Sequence, residues 1–143
     1  MALLTPQDAQ VLTAHLSPIH KRVSLLLFTQ TIGGSESGLI AKQVLDELTP
    51  LNDKITVVEK NFILDQEDRT KYGVDKSPAI VVLADGEDTR MRFFGAPTGY
   101  EFVPLVEAIL LAGTGNLELQ DETVKLLATV DKPMTVQVFS TPT

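Results

Sequence analysis

The chain reads as an α/β domain built on a mixed central sheet flanked by helices. Three observations predict that class. Two apolar runs of strand length, Val23–Phe28 and Ile55–Glu59, are separated by a periodic helical segment, so they form a parallel pair with a right-handed crossover. A third run, Ala79–Leu83, meets Asp85-Gly86 and then a second arm, Thr89–Phe94, which makes an antiparallel hairpin. The apolar share, 43% of 143 residues, is enough for one core of ordinary size.

Each element has a local reason. Thr5 followed by Pro6 is a helix start, and Ala9, Leu12, Leu16 and Ile19 then share one face. Val23–Phe28 is almost continuously apolar, as suits a central strand covered on both faces. Residues 30–35 read as a loop. Ile40, Ala41, Val44, Leu45 and Leu48 lie on one helical stripe that Pro50 stops. Asp65–Tyr72 predicts a short polar helix closed by Gly73. In the hairpin, Arg90 and Arg92 alternate and are expected to face solvent. Thr98 and Glu101 have capping-box spacing before a helix that carries Phe102, Leu105, Val106 and Ile109. Pro104 within it either marks a later start or removes one bond. Gly113 to Asn116 is linker-like. Beyond it, Asp121–Val130 predicts an amphipathic helix with Val124, Leu127 and Val130 aligned, and Met134–Phe139 alternates as a terminal strand.

Composition restricts the chemistry. Nineteen Asp+Glu stand against 12 Lys+Arg, a formal net charge of −7, which makes nucleic acid a poor partner. There is no cysteine, so there is no disulfide framework and no thiolate metal site. Thiol–disulfide exchange by this chain alone is excluded as well, because the thiolate is the nucleophile. With only His15 and His20, an imidazole-rich metal site is not expected. No segment reaches the ~18 consecutive apolar residues that a membrane span needs. The N-terminus lacks a basic region followed by a long apolar run, so the expected location is cytoplasmic.

Several polar groups merit weighing. Gly33-Gly34-Ser35-Glu36-Ser37-Gly38 opens a helix, where free N–H groups favour an anion. Capping by Ser35 is the simpler expectation, and Glu36 already supplies negative charge there. Ser35 has no His/Asp partner in sequence to make it a hydrolase nucleophile. Asp65, Glu67 and Asp68 lack calcium-loop spacing and suit a helix N-terminus. His15 and His20 fit surface positions.

The order of elements, with Ser77-Pro78 ahead of the third strand, resembles the thioredoxin fold. The run Arg92-Phe93-Phe94-Gly95-Ala96-Pro97-Thr98-Gly99-Tyr100-Glu101-Phe102 is similar to a stretch in two families. One is the two-unit protein disulfide oxidoreductases, also called glutaredoxin-like proteins. The other is the N-terminal region of the alkyl hydroperoxide reductase flavoprotein subunit. Both usually have His where this chain has Tyr100. Thr135–Thr143 resembles the first strand of the second unit in those proteins.

The resemblance implies a thioredoxin-like unit over residues 1–115 that lacks a Cys-x-x-Cys. Residues 116–143 are then a connecting helix and the first strand of a truncated second thioredoxin-like unit. Ser35, Glu36, Ser37 and Gly38 become the degenerate redox-loop positions. Ser77 and Pro78 become a peptide contact, with the proline cis. The unit itself is redox-inactive and needs no cofactor. Its parent would pass electrons through a downstream Cys-x-x-Cys to a peroxiredoxin or another disulfide protein, with FAD in a further domain. The alternative is a standalone cysteine-free module that binds peptides. The terminal strand, 134–139, is expected to dock on the first unit's sheet or to join two copies as a homodimer.

Overall fold

Four strands run in the order β2-β1-β3-β4 in a computed structural model that describes residues 2–141. They are β1 (Val23–Thr29), β2 (Ile55–Asn61), β3 (Ala79–Ala84) and β4 (Glu87–Phe94). β1 pairs parallel with β2, Val23 opposite Ile55 and Thr29 opposite Asn61. It pairs antiparallel with β3, Phe28 opposite Ala79, and β3 with β4, Ala79 opposite Phe94. The hairpin turns through Asp85 (φ 49°) and Gly86 (φ 81°), the paired positive φ of a tight turn that follows the strands' twist. Asp85 is tied back: its N–H donates to the Arg22 carbonyl at 2.8 Å, and its carboxylate accepts from Arg22 N–H at 2.9 Å.

Three helices cover one face: α1 (Pro6–Leu16), α2 (Glu36–Leu48) and α4 (Phe102–Thr114). Their Leu16, Leu45 and Ile109 bury completely against Leu25, Leu27 and Ile80 of the sheet. The other face packs Leu26, Phe28, Val81 and Leu83 around Val74, with Phe62 and Tyr72 against them. Phe62 and Tyr72 flank α3 (Gln66–Lys71), a helix of six residues. Burying a large aliphatic or aromatic side chain is worth about 1.5–3 kcal/mol, so the twelve largest fully buried side chains, all apolar, carry the fold.

Thr5 caps α1 as expected: its hydroxyl accepts from Asp8 N–H at 3.1 Å, and the Asp8 carboxylate accepts from Thr5 N–H at 3.0 Å. Pro104 is the third residue of α4, inside the first turn, where an N–H has no intrahelical acceptor and its loss is harmless.

Four expectations need correction. Ser35 sits at the N-cap of α2 in extended conformation but makes no side-chain cap bond. Thr98 and Glu101 form no capping box; a 3-10 turn, Gly99–Glu101, leads into α4 instead. Arg92 does not face solvent. β3 and β4 shift register between Val81 and Leu83, with Arg90 at φ 68°, and Arg92 stands opposite Val81 on the face that Tyr72 packs against, where its Nε donates to the Tyr72 carbonyl.

The fourth correction concerns the end of the chain. The last helix, α5 (Asp121–Leu127), is shorter than expected, and residues 116–141 are all exposed. Residues 134–139 form no strand and pair with neither edge of the sheet. A strand exists only while its N–H and C=O groups have partners, and these have none in the sheet. One tail contact is a 2.9 Å bond from Ser140 Oγ to Glu101 Oε1. Pro142 and Thr143, part of the expected tail, lie outside the described residues.

Candidate functional site

The strand register brings four loops to one end of the sheet. Thr29 ends β1 there and its carbonyl accepts from Phe62 N–H at 2.9 Å, which sets the loop after β2 beside the 30–35 loop. Phe28 lies opposite Ala79, so Ser77 and Pro78 stand at the same end, and the Pro78 carbonyl accepts from Gly95 N–H at 2.9 Å after β4. The sequence places Ser35–Gly38 and Ser77-Pro78 about forty residues apart; the fold puts both at this end.

Backbone geometry shapes the first loop. Gly33 has φ +74°. Gly34 has no room for a side chain, since a Cβ would stand 2.1 Å from the Gln30 carbonyl oxygen. Ser35 and Glu36 are exposed, and Ser37 and Gly38 are half-buried. At Gly38 a Cβ would meet Thr29 Cγ2 at 3.6 Å, an ordinary contact. The Ser77–Pro78 peptide bond is cis. Ser77 Oγ reaches the Phe28 carbonyl at 3.5 Å, and the Ser77 backbone N–H and C=O have no partner among the described residues.

The sequence has no cysteine, so no thiol stands at this end. Among the described residues, none of the buried ones is polar or charged. Among them, too, no three His, Asp or Glu side chains come together in a way that could hold a metal. What this end offers is apolar surface: Ile32 is 92% exposed, Leu64 79% and Leu39 73%, with Ile63 and Phe94 also uncovered. Lys76 Nζ lies 4.9 Å from the Phe94 ring centroid. This cluster is absent from the sequence reading, because its members sit in separate segments and form no periodic stripe.

Away from this end, two apolar grooves of about 310 and 460 Å³ run over the helical face and share Leu4 and Phe102. Neither is lined by a residue of the 30–38 loop, by Ser77 or by Pro78. The Glu47 carboxylate closes the first by accepting from Leu3 and Leu4 N–H at 2.6 and 2.8 Å. Those bonds hold its carboxyl below the usual range.

Other polar candidates pair with neighbouring elements of the fold. Arg92 binds Asp88 and the Tyr72 carbonyl on the α3 side of the sheet. Lys60 pairs with Asp68 at 2.9 Å, which anchors α3 to β2. His15 Nε2 meets Glu107 Oε1 at 2.6 Å and links α1 to α4. No helix among the described residues is long and apolar enough to cross a membrane.

No family model matches the chain. The alkyl hydroperoxide reductase AhpF of Escherichia coli is 30% identical over 102 residues, 71% of this chain and 17% of that protein. The Staphylococcus epidermidis AhpF is 30% identical over 83 residues, 58% of this chain and 14% of that protein. The chain therefore spans about a sixth of the length of these relatives. Among solved structures, the NTD_N/C domain of the Enterococcus faecalis alkyl hydroperoxide reductase superposes with a TM-score of 0.78 at 28% identity, covering 85% of this chain and 58% of that one. A protein disulfide oxidoreductase from Aeropyrum pernix superposes with a TM-score of 0.76 over 90% of this chain and 56% of that one; at 18% identity it bears on the fold alone.

Proposed function

We propose that this chain, a thioredoxin-like unit similar to the N-terminal part of the alkyl hydroperoxide reductase AhpF, works as a redox-inactive domain of a thiol–disulfide peroxide-reductase system. The observation that carries this reading is a whole redox-type framework without its thiols. It is supported by the loop at 30–35, the helix α2 behind it and the cis Ser77–Pro78 bond at one end of the sheet, in a chain without cysteine; Ser35, Glu36, Ser37 and Gly38 are the positions this reading assigns to the missing pair. A serine hydroxyl does not form the mixed disulfide that exchange requires.

On this reading the domain holds other parts in position. Residues 116–141 expose Leu117, Val124, Leu126, Val136, Val138 and Phe139. An apolar surface of that kind suits a covering partner, and a second thioredoxin-like unit with its own Cys-x-x-Cys is the partner this reading assigns. That unit would exchange electrons with a peroxiredoxin or another disulfide protein, fed by a flavin in a further domain. The present unit supplies surface and orientation. In a dithiothreitol-driven insulin-reduction assay this chain is expected to give no rate above the reagent alone. A clear acceleration would end the proposal.

One observation favours a second reading, a peptide-binding module. The unpartnered Ser77 backbone groups lie at the end of the sheet that also exposes Ile32, Leu64 and Phe94, a setting suited to an extended apolar peptide. Titration with unfolded peptides, followed by amide NMR, separates the two. Shifts confined to Ser77 and its neighbours favour the module; no shifts at millimolar peptide favour the scaffold.

A further inference from the structure

The two edges of the sheet differ in how they are closed. β4 is bulged and carries a positive-φ residue at Arg90, devices that make an edge a poor template. β2 has none of these. It runs in unbroken register with β1 over seven residues, with no proline.

The pairing with β1 determines which backbone groups of β2 face outward. Val23 N–H donates to the Lys54 carbonyl and Phe62 N–H donates to the Thr29 carbonyl, both at 2.9 Å. In a parallel ladder alternate residues turn to the same neighbour, so Thr56, Val58 and Lys60 face β1, and Ile55, Val57, Glu59 and Asn61 face away. Both ends of this outer row are closed locally. Ile55 N–H donates to the Asn52 carbonyl at 3.1 Å; Asn61 N–H donates to the Asp65 carboxylate, and Asp65 N–H returns a bond to the Asn61 carbonyl at 2.9 Å. What stays open, besides the Ile55 carbonyl, is a short window: the N–H and C=O of Val57 and of Glu59.

We propose that a second copy of this chain closes that window by antiparallel β2–β2 pairing about a two-fold axis at Val58. The window is self-complementary. Val57 of one copy faces Glu59 of the other, and in an antiparallel pair such residues exchange both of their hydrogen bonds. Four bonds then satisfy the four groups of the window on each copy, and the Ile55 carbonyl is left to water. A longer partner strand gains little here, because the flanking N–H groups are already used.

The side chains agree with this register. Val58, 41% exposed in the single chain, meets its own symmetry mate across a non-hydrogen-bonded pair, where side chains approach closest. Thr56 lies opposite Lys60, and Val57 opposite Glu59, so no like charges face directly. The two Glu59 residues are diagonal neighbours, about 7–8 Å apart at the backbone, and Lys42 stands 3.5 Å from the Glu59 carboxylate in each copy. Such a contact is isologous, so it closes at two copies.

Sedimentation equilibrium of the whole chain over a concentration series tests the proposal. The patch is small and belongs at the weak end of interfaces, so the expected result is an average mass that rises toward twice the monomer as concentration climbs from about 10 µM to about 1 mM. Amide exchange at Val57 and Glu59 is expected to slow in step. Glu59→Pro removes an outward donor at an edge position where proline is tolerated. Val58→Lys sets two ammonium groups against each other across the axis. Both variants are expected to stay monomeric with unchanged far-ultraviolet dichroism; if Glu59→Pro does not fold, Val58→Lys decides alone. A wild-type chain that is monomeric throughout overturns the proposal. So does a mass increase that persists in the folded variants, as association through residues 131–141 would.

Discussion

Arg92 grips Asp88 with both guanidinium nitrogens, Nη1 to Oδ1 at 2.8 Å and Nη2 to Oδ2 at 2.7 Å, across the bulge in β4. Its Nε donates to the Tyr72 carbonyl at 3.1 Å, so one side chain ties the edge strand to the turn after α3. The pair is mostly shielded, with 17% and 32% of the two side chains exposed. Planar two-point pairing of this kind is the strong form of ion pair.

Arg92→Ala is therefore expected to destabilise the domain by about 1.5–3 kcal/mol, the cost of lost bonds to charged groups with Asp88 left unpaired. Arg90→Ala, at an exposed position, is expected to stay within about 0.5 kcal/mol. Urea unfolding of the two variants checks the contrast. Equal losses would mean that the clamp contributes nothing particular.

Acid is expected to weaken the fold through three carboxylates. Asp88 is held below its ordinary pKa first by the Arg92 hydrogen bond, Glu47 first by Leu3 N–H, and Asp8 first by the Thr5 hydroxyl. Each is lower in the folded chain than in the unfolded one. Their stabilisation is thus complete above the unfolded values of about 4 and is lost as pH falls through the folded ones. Urea midpoints measured from about pH 7 to about pH 3 are expected to be flat and then to fall. In Arg92→Ala the fall should be smaller.

Gly113 of α4 packs directly on Ile19, where a Cβ would stand 2.6 Å from Ile19 Cγ2. Its carbonyl also accepts from His20 and Lys21 N–H at 3.1 and 3.0 Å. Alanine normally improves a helix by about 1 kcal/mol over glycine. Here the clash wins, and Gly113→Ala is expected to cost about 1–3 kcal/mol, as overpacking does. Thermal unfolding reads the sign; a rise in Tm would mean that Ile19 gives way at little cost.

If the first loop has lost only its thiols, restoring them should restore chemistry. Positions 35 and 38 are three apart at a helix start, about 5 Å between Cα atoms by helix geometry, which a disulfide can bridge. A side chain at Gly38 meets only ordinary contact. The double variant Ser35→Cys/Gly38→Cys is expected to form an internal disulfide and to accelerate insulin reduction, its exposed thiol activated by the helix N-terminus. A double variant that folds but reduces nothing would show that the loop differs in more than its thiols.

Most elements were legible because their signals are local. Thr5-Pro6, the stripe from Ile40 to Leu48, the buried run at 79–83 and the Asp85-Gly86 turn each fix backbone geometry from neighbouring residues. What was not legible depends on distance. Arg92 has the spacing of an outward residue, but its face is covered by Tyr72, which comes from a distant segment. The apolar rim of Ile32, Leu64 and Phe94 comes from separate segments that only the sheet register gathers. Residues 134–139 alternate like a strand, but alternation supplies side chains and no hydrogen-bond partner. Ser35 has the residue type of a cap and stands at the cap position, yet its hydroxyl makes no bond there.

The close approach of Gly34 to the Gln30 carbonyl has a consequence for how this loop can change. Ser35 and Glu36 project into water, where many side chains are tolerated. One position earlier, a single added carbon collides with the main chain. Substitution here is therefore rationed by backbone shape: a library randomised over residues 34 to 36 should return broad diversity at the last two positions and glycine at the first.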